Sequence, residues 1–386
     1  MKIESFDLEN WLNPACDSEK NKYYLGGSCV LPMTVEELFE LTGESIEEFF
    51  DELRTMNLGY PRFEGTPRTR AAVAGLYQTV KPEDVILCHG RTGANSTVCY
   101  GLLEAEDNVV SIMPNYQQFL SIPKSIGTEV REVWLEAQKG YKLDIRKVRE
   151  AIDSNTKAIL FTNPNNPTGS VLLEPEMREL IEVAREADAW IICDEMYRGL
   201  ADEYMLSFAD LYDKAIVTAS SSKIYSMAGT RVGWIICKDP ETRTKLFNWR
   251  SYDSICGGVF DEWIFAIALE HKDAVFERSR RIVNENKRVI DAWIARSPYL
   301  HQYAEAYGTT YLVHYDLDIP AQKFADDLLD EKGVLVCHGD CFFIPHSFRI
   351  TLSHAHELET GLALIDEYME ELVAKGVRVI PPRSED

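Results

Sequence analysis

From about residue 68 the chain alternates short β-branched apolar runs with stretches whose apolar residues recur every three or four positions. The runs predict strands over 84–88, 108–112, 157–162, 190–194, 215–219 and 232–237. Between them lie helical stretches such as 173–186, where Leu180, Ile181, Val183 and Ala184 form an apolar stripe among charged neighbours. The runs AILF and WIIC are apolar without alternation, the pattern of strands covered on both faces. Strands alternating with helices imply right-handed crossovers and a mostly parallel sheet. The expected fold class is therefore α/β, with helices on both faces of a large sheet.

The texture changes after about residue 260. A long helical pattern over 261–295 is followed by expected strands at 310–315, 334–336 and 348–352, an amphipathic helix near 321–329 and a closing helix over 358–374. Fewer strands among more helices suggest a smaller α+β domain. The expected division is an N-terminal segment, 1–45, packing with the small domain, a large domain, 46–265, and the small C-terminal domain, 266–386. There is no internal repeat or low-complexity linker, and only the final PPRSED reads as a loose tail.

Composition narrows the class of function. The 386 residues are 45% hydrophobic and 27% charged, which excludes a wholly disordered chain. Forty Lys+Arg against 63 Asp+Glu give −23, so nucleic acid is not an expected partner, and the acidity reads as solubility. No apolar run approaches the roughly 20 residues that cross a bilayer, so no membrane is expected as a partner. The N-terminus is acidic and has no apolar signal core. Nine cysteines, an odd number spread singly, fit reduced thiols in a cytoplasm. Cys337, His338 and Cys341 lie close in sequence, but no second ligand pair has a suitable spacing, so no metal is expected.

In open α/β sheets ligands sit beyond the carboxyl ends of the strands, and there the polar motifs gather. After the first strand comes His89-Gly90-Arg91-Thr92-Gly93-Ala94-Asn95, a glycine-bearing turn opening a helix, which is an anion seat or a plain turn. After the second comes Met113-Pro114-Asn115-Tyr116, whose aromatic ring is a stacking face or a core cap. The third ends in Asn163-Pro164-Asn165-Asn166-Pro167-Thr168-Gly169, a proline-stiffened loop presenting carboxamides. WIICD places Asp194 at the end of a buried strand, where a carboxylate wants a cation, and Tyr197 follows three residues later. The run from 215 leads into Ser220-Ser221-Ser222-Lys223, then Gly229-Thr230-Arg231. A lysine desolvated beside another cation has a lowered pKa and becomes a nucleophilic amine. A phosphate seat, a stacking ring, a carboxylate for a ring nitrogen, a phenol and amide for a ring oxygen, and an amine for an aldehyde together match pyridoxal 5′-phosphate.

With NPNNPTG, CDEMY and SSSKIYSMAGTRVGW in this order, the chain resembles the fold-type I pyridoxal-phosphate enzymes, specifically the class I/II aminotransferases, from about Leu58 to Leu352. The resemblance implies a cofactor-binding large domain and a homodimer with shared active sites. It makes Lys223 the Schiff-base lysine and the shuttle for the substrate Cα proton. Asp194 becomes the partner of the pyridine nitrogen, Tyr197 and Asn166 the pair on the ring oxygen, and Tyr116 the stacking aromatic. Arg91 and Thr92 fall at the phosphate turn, joined by Ser220, Arg231 and Ser222. Arg349 matches the arginine that clamps the substrate α-carboxylate bidentately, Asn166 and Gly27 (after Gly26) would line the substrate side, and Tyr60 resembles the tyrosine that reaches the phosphate of the neighbouring subunit. The reaction implied moves an amino group between an L-amino acid and a 2-oxo acid with ping-pong kinetics.

The sequence departs from that pattern in places. Arg91 brings a cation where the family often has a small or polar residue. The segments around Leu8–Leu12, Gly27–Val30 and Glu36–Leu38 are similar to a branch containing capreomycidine-synthase-like lyases and cyclases, whose hydroxylated arginine would welcome acids such as Glu64, Asp261 or Glu262. A non-catalytic effector-binding module of a transcription regulator would need a basic N-terminal DNA-binding domain, and the segment ahead of the first motif is acidic.

Overall fold

The computed structural model describes residues 2–201, 203–353 and 355–380; the tail read at 381–386 lies outside the described residues. Its central sheet has seven strands in the order Val85–His89, Val232–Cys237, Ala215–Ser220, Trp190–Asp194, Thr156–Thr162, Asn108–Met113 and Glu129–Trp134. Neighbours are parallel except around Val232–Cys237, which runs antiparallel to both of its partners. The fold is α/β with a mostly parallel sheet.

Successive strand residues point to opposite faces, and the sheet shows it. Ile86, Ile192, Ile216 and Ile235 join one apolar cluster with Val98 and Leu246 from covering helices. Leu87, Ile191, Val217 and Ile236 join the other cluster, with Leu180, Val183 and Ala184 of the helix Glu174–Glu186. Both faces are dry, which is why the sequence runs carry no alternation. The outermost strand, Glu129–Trp134, is absent from the sequence reading. Its EVREVW is largely exposed and charged, as befits an edge.

The helical pattern over 261–295 is two helices, Val259–Glu270 and Lys272–Arg296. They break at His271, which leaves helical geometry and whose ring lies 2.9 Å from Glu44. A second, antiparallel sheet orders Cys337–His338, Ser347–Thr351, Thr310–Tyr315 and Leu300–His301. The helices Lys272–Arg296, Ala321–Lys332 and Ala355–Ala374 pack around it.

The N-terminal segment threads between the two sheets. Tyr23–Tyr24 pairs in parallel with Val334–Leu335. Leu25 N donates to Leu335 O at 2.9 Å, and Leu25 O accepts from Thr351 N at 2.8 Å. Further on, Val30 N donates to the carbonyl of Lys223 at 3.0 Å, and Thr309 Oγ1 donates to Ser28 O at 2.7 Å. Among the described residues no helix is long and apolar enough to cross a membrane.

Candidate active site

Strand registers bring the motifs together. Thr162 lies opposite Asp194, Asp194 opposite Thr218, and Ser220 opposite Gly233. Beyond these carboxyl ends opens a cavity of about 510 Å³. Arg91, Thr92, Tyr116, Asn166, Tyr197, Ser220, Ser222, Lys223, Arg231, Arg349 and Gly27 all line it. Asp194 is not part of the lining; it pairs with Arg91, which is.

Lys223 follows the strand Ala215–Ser220 by three residues and is half-buried. Its Nζ donates to Ser28 Oγ at 2.7 Å and to Cys29 Sγ at 3.4 Å. Both partners come from the N-terminal segment, nearly 200 positions away, so sequence spacing gave no sign of them beyond their place after Gly26-Gly27.

Asp194 is 1% exposed. Its Oδ1 accepts from Met196 N at 3.2 Å and its Oδ2 from Asn95 Nδ2 at 3.5 Å. Asn95, on the helix Gly90–Leu102, is oriented by Thr218 Oγ1, which donates to its Oδ1 at 2.6 Å. Burial pushes the Asp194 carboxyl up, and the cation of Arg91 pulls it back down. Asn95 stood in the quoted motif, but only the fold shows that it turns toward the carboxylate.

The residues expected to form an anion seat gather around the start of the helix Gly90–Leu102. The helix Gly90–Leu102 begins there with no side-chain cap on its first amides. Arg231 Nη1 donates to Ser222 Oγ at 3.3 Å and to Ala228 O at 3.0 Å. Ser222 N donates to Ser220 Oγ at 3.3 Å. Gly90 is required here: its φ is +67°, and a Cβ would overlap the guanidinium of Arg231.

Arg91 differs from its expected place. It lies on Asp194 instead of joining Arg231 at the seat. Its Nη1 is 2.9 Å from Asp194 Oδ2, and its Cζ stands 4.1 Å from the centre of the Tyr116 ring. A buried carboxylate needs a counter-ion, and a second guanidinium at the seat would repel the first. Tyr116 in turn donates its hydroxyl to Glu9 Oε1 at 2.6 Å, a further cavity residue that the sequence reading missed.

On the substrate side, Asn163 and Asn165 lock their own loop. Asn163 Oδ1 accepts from Leu172 N at 2.8 Å, and Asn165 Nδ2 donates to Pro114 O at 3.0 Å. Asn166 is left to meet Arg349, whose Nη1 donates to its Oδ1 at 3.0 Å. Arg349 Nη2 donates to Gly26 O at 2.8 Å. Arg349 Nε and the Tyr197 hydroxyl are buried without hydrogen-bond partners. Tyr60 lies apart, 79% exposed and outside the cavity. Glu64, Asp261 and Glu262 do not line it either; Glu262 accepts from Thr66 N at 2.7 Å.

The donor set suits a flat phosphorylated pyridine aldehyde. Two orphaned polar atoms, an amine, an aromatic ring and an arginine among hydroxyls line one cavity, and the buried Asp194 carboxylate pairs with the Arg91 of that lining. Sheet order and site together define a fold-type I pyridoxal-phosphate enzyme. The chain belongs to the aminotransferases of class I and II, a family that matches residues 38–365, and it is a pyridoxal-phosphate-dependent aminotransferase. It is 36% identical to a PLP-dependent aminotransferase of Streptococcus suis, with a TM-score of 0.93 over 96% of this chain and 99% of that one. It is 27% identical to the tyrosine aminotransferase of Dictyostelium discoideum, over 76% of each chain. It is also 25% identical to the capreomycidine synthase of Streptomyces vinaceus, over 78% of this chain and 79% of that protein.

Proposed function

We propose that this aminotransferase takes an L-amino acid by its α-carboxylate on Arg349 and moves the Cα proton with Lys223. The observation that carries the reading is a half-buried amine and a partly unsatisfied arginine on one cavity, with the buried Asp194 carboxylate against the Arg91 of its lining. Asp194 would hold the ring nitrogen of pyridoxal phosphate, Tyr197 and Asn166 its ring oxygen, Tyr116 its face, and Ser220, Ser222, Thr92 and Arg231 its phosphate. When bound, the cofactor supplies an aldehyde for Schiff-base linkage to Lys223 and a protonated ring that takes up the electron pair left at Cα.

The chain's own part is positioning and proton transfer. Arg349, already fixed by Asn166 and Gly26, presents its open Nε edge to a carboxylate and so orients Cα. Nζ of Lys223 accepts the Cα proton, and Ser28 Oγ, at 2.7 Å, keeps that amine aimed between transfers. As a carboxylate, Asp194 would hold a proton on the ring nitrogen; burial raises its pKa and a neighbouring cation opposes that rise.

The same reading includes a cytoplasmic homodimer divided at about residues 45 and 265. Its support is the pairing of Tyr23–Tyr24 with Val334–Leu335 and the exposure of Leu58, Tyr60, Phe63, Tyr252, Ile255 and Phe260. Apolar side chains left in water in two stretches are what a subunit interface would cover. Tyr60 would then reach the neighbouring site.

The test is incubation of the holoprotein with a panel of amino acids and 2-oxoglutarate. Glutamate formation that is absent from Lys223→Ala supports the reading. Ammonia or a cyclised product formed without any oxo acid replaces it with elimination chemistry.

A further inference from the structure

A second cavity, of about 170 Å³, lies at the seam between the two sheets, and none of its residues lines the active cavity. The edge strand Glu129–Trp134 and the loop after it contribute Trp134 and Tyr141; Tyr303, Tyr315, Asp316 and Phe343 come from the four-stranded sheet and its loops. The rings of Trp134 and Phe343 stand 6.0 Å apart at 90°, and those of Tyr141 and Tyr303 6.5 Å apart at 81°. Rings set at right angles make the corners of a box. Asp316 is the only acid in this lining, and among the described residues that form it there is no Lys or Arg. The Asp316 side chain is mostly buried, and its Oδ2 lies 3.5 Å from His301 Nδ1. That contact is not a hydrogen bond: Nδ1 is buried without a partner, while Nε2 of the same ring meets the Tyr303 hydroxyl at 3.0 Å. Burial holds the His301 imidazole below its ordinary pKa and pushes the Asp316 carboxyl up, against the charges of His301 and His346. A carboxylate taken out of water without a permanent cation is costly.

We propose that this cavity is a binding site for a small alkylammonium ion, the cation set against Asp316 and enclosed by the aromatic rings. Ring faces attract a cation, and alkylated ammonium groups are the ions that aromatic cages recognise. The volume holds roughly five or six groups the size of a water molecule, which suits a fully methylated nitrogen and excludes a peptide. With no Lys or Arg in the lining, the carboxylate of an amino acid would go unpaired here, whereas the active cavity has Arg349. The site therefore selects amines that lack a carboxylate. The backbone supports a role in contact: Tyr141, Phe343 and His346, at φ of +52°, +60° and +53°, are three of the seven non-glycine residues with positive φ among the described residues, and all three line this cavity. At Phe343 a left-handed backbone holds a half-exposed ring, a strain of the kind that collects at ligand sites. The proposal stands independently of the chemistry assigned to the active cavity.

The experiment is calorimetric titration of the holoprotein with tetramethylammonium chloride at constant ionic strength. This ion has no N–H and cannot form a Schiff base, so the cofactor is blind to it. Saturable binding is expected with a Kd of roughly millimolar order, as befits an ion of about five heavy atoms. Tert-butyl alcohol, of similar shape but uncharged, and trimethylglycine, the same head group with a carboxylate, are each expected to bind about tenfold more weakly or worse. Asp316→Asn keeps the size of the side chain and is expected to weaken tetramethylammonium binding by about tenfold. Trp134→Leu, on the exposed edge strand, is expected to weaken it by roughly threefold or more, and it serves if the first variant does not fold. Absence of saturable tetramethylammonium binding in the millimolar range overturns the proposal. So does binding that tert-butyl alcohol or trimethylglycine matches, or that every folded variant leaves unchanged.

Discussion

Replacing Arg349 by lysine tests the substrate clamp with little change of charge. Arg349 is 1% exposed and spends Nη1 on Asn166 Oδ1 and Nη2 on Gly26 O. These two bonds hold the guanidinium plane, and Nε is buried without a partner. A lysine keeps the attraction for a carboxylate but loses the fork and its orientation. One hydrogen bond to a charged group is worth about 1.5–3 kcal/mol. At about 1.36 kcal/mol per decade, losing one such bond lowers kcat/KM by roughly 10- to 150-fold. The assay compares kcat/KM for an amino acid with that for the amine lacking its carboxylate. Wild type is expected to prefer the amino acid strongly, and Arg349→Lys to lose much of that preference while the amine's rate stays the same. An unchanged ratio between the two substrates would refute the assignment of Arg349 as the carboxylate clamp.

Three further outcomes are expected. Ser28→Ala removes the acceptor 2.7 Å from Lys223 Nζ; kcat is expected to fall about tenfold with KM little changed and the pH–rate profile displaced, as steady-state kinetics across pH would read. Gly90→Ala puts a side chain on a φ of +67° and into Arg231, so cofactor affinity is expected to fall by roughly tenfold or more in a pyridoxal-phosphate titration. Asp153 accepts from Asn108 Nδ2 at 2.9 Å and Asn155 N at 2.8 Å and pairs with Arg131 at 2.8 Å; these contacts lower its pKa from 3.8 to about 2. The lowered value means that its stabilising contribution is complete above about pH 4 and is lost as pH falls toward 2. The Tm gap between wild type and Asp153→Asn should therefore close over that interval in thermal melts.

The strands of the inner sheet were legible because burial on both faces leaves few polar residues within them, Ser111 and Thr218 being exceptions, and because polar motifs follow their ends. The edge strand Glu129–Trp134 escaped because it has water on one side and too few apolar residues to mark a period. The break at His271 escaped because the amphipathic pattern continues through it. In the site, Lys223, Asp194 and Asn166 were legible as candidates because each lies at, or within four residues of, the end of a strand. Ser28, Cys29 and Glu9 were not, since the N-terminal segment reaches the cavity only by lying across two sheets. The identity of Arg91 was visible, but its direction was not. Which of two acidic or basic neighbourhoods a long side chain chooses depends on a charge balance that only the assembled cavity fixes.

The passage of residues 23–30 between the sheets has a mechanical consequence. Through Leu25 this stretch is hydrogen-bonded to the strand that carries Arg349, and through Val30 to the backbone of Lys223 itself. The Gly26 carbonyl that steadies the clamp and the Ser28 hydroxyl that steadies the amine are therefore separated by a single residue of one taut tether. On the roles proposed for Arg349 and Lys223, a shift of the four-stranded sheet would move the carboxylate clamp and the base together, because one short stretch of chain holds both.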